Sequence, residues 1–145
     1  MWVDALADPT ADPQAIARAA AVVTGSPAAR ADIATCVLAL QASRGDRAMV
    51  AVVAAAATGA RFAVEDFVAA GAVIDALAEV GIDYTSPEAA AAAGAWAALR
   101  NAGSHVLSAS VAGQELLATG GSLDAARDAW SAAGIRVLRE FGGTL

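Results

Sequence analysis

The chain has 145 residues, is 58% hydrophobic and only 17% charged, and carries a formal net charge of −6. That length fits one domain, and this composition excludes intrinsic disorder, which needs low hydrophobicity and high charge. The nine basic residues are all arginine, so Schiff-base chemistry and a P-loop lysine are absent. One cysteine, Cys36, and one histidine, His105, exclude an internal disulfide, a cysteine-based zinc site and two-histidine metal motifs.

Proline and glycine punctuate the chain. Asp12-Pro13, Ser26-Pro27 and Ser86-Pro87 each place a capping side chain before a proline suited to a first helical turn. Asp46 and Ser122 are further candidate caps, and glycines such as Gly45, Gly81 and Gly120 follow apolar runs as stops. Between starts and stops lie about seven predicted helices, at 13–24, 27–43, 47–58, 63–80, 87–101, 104–118 and 122–141. In the fourth, Phe67, Ala70, Gly71, Ile74, Leu77 and Ala78 form an apolar stripe, with Glu65, Asp66, Asp75 and Glu79 outside it. In the seventh, Leu123, Ala126, Trp130, Gly134, Val137, Leu138 and Phe141 repeat at helical spacing.

The expected fold is all-α. It is a single helical domain over 1–145, either an orthogonal bundle or a short α-solenoid-like array. The alternative is α/β, because 61–64, 81–84 and 134–138 each set a short β-branched or aromatic run after a helix-like segment. Alanine, about 30% of the chain, argues for helix, since it leads the helix scale and is depleted in strands. Ala69-Ala70-Gly71, Ala92-Ala93-Gly94 and Ala132-Ala133-Gly134 read as places where helices cross closely.

Mean hydropathy is +0.55, but the longest apolar stretch, Met49–Ala60, is fenced by Arg47 and Arg61 and is too short to span a bilayer. Whether that stretch is core, interface or membrane-facing stays open. The start of the chain lacks a basic region followed by an apolar one, so no signal peptide is expected and the expected location is cytoplasmic. Scattered, outnumbered arginines argue against nucleic acid.

His105 is the one candidate general base with an ordinary pKa near neutrality. Ser108, three residues on, shares its helical face, and Asp66 and Asp75 are available as a third member from another helix. No nucleophile elbow accompanies the pair. Glu65 and Asp66, being adjacent, point to different sides of a helix, while Asp124 and Asp128 share a face in a first turn, where negative charge suits the dipole. Cys36 sits in an apolar helix and reads as core. Trp2 is a candidate docking anchor, on this chain or a neighbour. Tyr84-Thr-Ser-Pro-Glu88 fits the Y-x-x-x-[DE] pattern of type VII secretion substrates, but the W-x-G turn of those proteins is absent and no family is assigned.

The functional expectation is therefore a non-catalytic helical interaction or assembly module, a structural or adaptor component that forms an oligomer or larger complex. It follows from scarce catalytic residue types and apolar surplus. The expected partner is a protein or a second copy, with no metal and no cofactor. A small apolar ligand and membrane association are secondary. The alternative is a small-ligand-binding bundle or a hydrolase-type enzyme using His105 and Ser108.

Overall fold

The computed structural model describes residues 2–3, 21–45, 48–54 and 61–140. Four strands, β1 (Trp2–Val3), β2 (Ala21–Gly25), β3 (Val53–Ala54) and β4 (Ile135–Glu140), form one sheet in the order β3-β1-β2-β4. β1 pairs parallel with β2 and β3 through Trp2, opposite Thr24 and Val53. β2 pairs antiparallel with β4, from Gly25 opposite Ile135 to Ala21 opposite Glu140, with a register shift between Val22 and Val23. The described α-helices are α1 (Arg30–Arg44), α2 (Val64–Glu79), α3 (Pro87–Leu99), α4 (Gly103–Ala109), α5 (Val111–Ala118) and α6 (Asp124–Ser131).

The molecule is thus mainly helical with a small sheet, and the all-α, seven-helix expectation is corrected. Residues 21–25, placed at a predicted helix end, are strand, because buried Val22 and Val23 find pairing partners that outweigh alanine-based propensity. Of predicted helix 47–58, residues 48–54 are extended or in β3, and the remainder lies outside the described residues. The last predicted helix stops at Ser131. Ala132 is extended, Gly134 follows at φ +88, a conformation glycine adopts freely, and β4 begins. This last element matches the α/β alternative. Residues 61–63 and 82–86 form no strand.

Predicted starts hold at two described prolines. Ser26 Oγ accepts from the N–H groups of Ala28 and Ala29 at 3.1 and 3.3 Å, leading through a 3-10 turn into α1. The same hydroxyl donates to Ala132 O at 2.6 Å, tying the end of β2 to the chain after α6. Ser86 Oγ accepts from Ala89 N–H at 3.2 Å and starts α3. Asp12-Pro13 and Asp46 lie outside the described residues.

Helix α2 is the centre of the fold. It is buried on nearly every side, with eleven of its sixteen residues buried. Ala69, Val73, Ala76 and Leu77 pack with Val23, Ile33, Ala34, Val37, Leu107 and Ala126, and half-buried Cys36 joins them. Val68 and Ala72 pack with Trp96 of α3 in a second cluster, and the Arg30 guanidinium lies 5.5 Å over the Trp96 ring. Gly71 is where α2 meets α3. A Cβ there would collide with the carbonyl group of Ala92, so the close crossing read from Ala69-Ala70-Gly71 is real. Gly94 has open space around the equivalent position and marks no such crossing. No described helix is long and apolar enough to cross a membrane.

Candidate active site

Predicted helix 104–118 breaks at Ser110, and that break builds a site. Ser110 has extended backbone, φ −64 and ψ 156, between α4 and α5. Its buried hydroxyl accepts from Gly113 N–H at 3.1 Å and donates to Leu107 O at 3.1 Å. It therefore ends one helix and caps the next, as serine does when it competes with a continuing helix. Gly113 completes the turn, since a Cβ at that position would strike the Leu107 carbonyl.

The new helix start faces the start of α2 across a pocket of about 220 Å³. One wall is Arg61, Phe62, Ala63, Val64 and Glu65; the other is Ala109, Ser110, Val111 and Ala112. The volume is below the roughly 300–1,000 Å³ of sites for drug-sized ligands and fits a small molecule. Both helix starts carry N–H groups with no intrahelical partner, which favour an anion. No side chain caps α2, whose cap position holds Ala63.

Arg61 supplies a cation. Its two terminal nitrogens donate to the two carboxylate oxygens of Glu115, each at 2.8 Å. Hydrogen bonding and charge from Glu115, with a further contribution from Glu65, hold the guanidinium above its ordinary pKa. The same Arg61 hydrogen bond holds the Glu115 carboxyl below the usual range. This end-on pairing leaves the Nε–H edge of the guanidinium for a second acceptor.

Glu65 is buried, 2% exposed, in the first turn of α2. The sequence places it outside the apolar stripe of that helix. Among the described residues no hydrogen bond or short ion pair reaches its carboxylate; only the charge of Arg61 is felt nearby. Asp66 is equally buried and has interactions of its own. No group of three potential metal ligands occurs among the described residues.

His105 and Ser108 both lie on α4, outside the residues that line the pocket. His105 is exposed, and the Ser108 hydroxyl donates to the His105 backbone oxygen at 3.3 Å. Trp2 enters the sheet through its backbone, and its side chain lies outside what is described.

A family model described as 2-phosphosulpholactate phosphatase matches residues 9–128, most of the chain. The chain belongs to that family. No curated protein and no solved structure matches it. Membership in a phosphatase family overturns the non-catalytic assembly reading, and with it the structural, adaptor and oligomer-forming roles. The hydrolase alternative is the reading the family supports. Scarce nucleophiles and histidines do not exclude this chemistry, because phosphoryl transfer runs largely on positioning and electrostatic stabilisation, which arginine, a carboxylate and backbone N–H groups supply. For that reason Arg61 and Glu65, which line the pocket, were not among the candidates. The available signal was a cation four residues before a carboxylate at the start of an otherwise apolar helix.

Proposed function

We propose that this chain is a phosphatase that hydrolyses a phosphate monoester of a small, multiply anionic acid, and that 2-phosphosulpholactate is its substrate. Family membership over residues 9–128 is the observation that carries the reading. By its name that substrate bears a phosphate, a sulfonate and a carboxylate. A chain with net charge −6 needs local positive potential to admit it.

The pocket between the starts of α2 and α5 is the place that meets the need. Arg61 presents a planar fork suited to phosphate oxygens. The α5 start presents the N–H groups of Val111 and Ala112, at the positive end of a helix dipole. Together they stabilise charge on the equatorial oxygens of a transferring phosphoryl group. Exposed Phe62 and Val111 form an apolar rim that reduces water access around the bound group.

The test is phosphate release from 2-phosphosulpholactate by the purified chain, with and without a divalent cation. Sulpholactate and phosphate should appear in equal amounts, and added phosphate should inhibit competitively. Folded protein that releases no phosphate under either condition overturns the proposal.

A further inference from the structure

We infer that Glu65 is the general base that activates the attacking water in this pocket, an assignment that rests on the phosphatase reading above. Among the described residues, three side chains with polar groups line the cavity: Arg61, Glu65 and Ser110. Arginine only donates and stays protonated, so it takes no proton from water. The Ser110 hydroxyl is committed twice, donating to Leu107 O and accepting from Gly113 N–H. Glu65 remains, with acceptor oxygens that no described donor occupies.

Its burial makes that vacancy informative. A carboxyl group 2% exposed and without a hydrogen bond among the described residues is costly to keep, and buried polar groups are nearly always satisfied. Ionisable groups held this way concentrate at working sites. The neighbouring pair shows the contrast. Arg61 gives both its terminal nitrogens to Glu115, which is not among the residues that line the pocket, and makes no such bond to Glu65.

In the step, a water proton passes to a Glu65 carboxylate oxygen while the water oxygen bonds to phosphorus. The bond between phosphorus and the ester oxygen breaks, and its electron pair leaves with the sulpholactate oxygen, which takes a proton from solvent. Glu65 then releases its proton to solvent. The net change is one water and one monoester giving one alcohol and one phosphate.

Two variants test this, Glu65→Gln and the apolar Glu65→Met, each followed by turnover, phosphate binding by calorimetry, and thermal melting. Expected for Glu65→Gln is a kcat lower by about 100- to 10,000-fold, with phosphate affinity within about threefold of wild type or tighter, since a nearby negative charge is gone. Glu65→Met should be inactive and melt above wild type, because it removes a buried polar group that has no hydrogen bond among the described residues. A Glu65→Gln kcat within about tenfold of wild type overturns the inference. Activity restored by excess magnesium overturns it too, making Glu65 a metal ligand, and so does phosphate binding lost together with turnover. A wild-type chain that is folded but inactive defeats the phosphatase reading itself, which is visible before any variant is made.

Discussion

Replacing Gly71 by alanine should unfold the scaffold that positions the site at a lower temperature, although alanine is the better helix former. The added Cβ falls on the backbone carbonyl of Ala92 in α3 and lies 3.1 Å from Trp96 Cβ. Backbone cannot rotate aside as a side-chain tip does, so α2 and α3 must separate. That separation loosens the Val68, Ala72 and Trp96 cluster. Overpacking of this kind costs about 1–3 kcal/mol, and a backbone obstacle sets this site at the upper end. Relief of the helix penalty of glycine returns about 1 kcal/mol. The net is about 2 kcal/mol of destabilisation, a fall in Tm of roughly 6–8 °C for a chain of this size. Gly94 in α3 is the internal control, because its Cβ position meets nothing within 4 Å. Gly94→Ala should raise Tm by roughly 2–4 °C on propensity alone. Thermal melting followed by circular dichroism reads both. A Gly71→Ala protein that melts at or above wild type refutes the close-crossing argument.

Ser110→Ala removes the cap of α5 and the bond to Leu107, and should lower Tm by roughly 3–6 °C and raise KM, since that helix start lines the pocket. Glu115→Ala frees Arg61 from its end-on partner and should raise KM several-fold with little change in Tm, as expected where an exposed pair orients a binding group more than it stabilises the fold. Glu115 and Asp124 both titrate below their usual range, Glu115 through the Arg61 hydrogen bond and Asp124 through the Ser122 hydroxyl and Arg127. A depressed folded pKa gives stability that is complete above the ordinary carboxylate values of about 4 and is lost as pH falls through the lowered ones. Melting curves between about pH 7 and pH 2.5 should therefore show less acid destabilisation in the Glu115→Gln, Asp124→Asn double variant than in wild type.

How much of this was legible depended on whether a local signal agreed with the tertiary one. Ser26-Pro27 and Ser86-Pro87 announced their helices because cap and first-turn proline act within one turn. Ala69-Ala70-Gly71 announced a close crossing because small residues permit one. The sheet was hidden. Val22-Val23 sits among alanines, and its strand state depends on pairing with residues more than a hundred positions later. Gly134 was counted into a helical stripe, although the helix has already ended at Ala132, whose backbone is extended, and Gly134 takes a positive φ. At the site, Ser110 looked like one more polar residue in a helix, and its capping role appears only once Gly113 and Leu107 are placed around it. Glu65 lies outside the apolar stripe that periodicity shows, yet it is buried, because α2 is covered on nearly all sides and not along that stripe alone. Arg61 lies before its helix and outside any periodic pattern, so only the fold brings it to Glu115.

The central claim is that phosphate ester hydrolysis takes place in the pocket beside Arg61. The most direct test is kcat/KM for phosphate release from 2-phosphosulpholactate, measured for wild type and Arg61→Ala side by side. Turnover by wild type and a loss of at least about 100-fold in Arg61→Ala, with unchanged melting, is the predicted result. Equal rates from the two proteins, or no release from folded wild type, would contradict it.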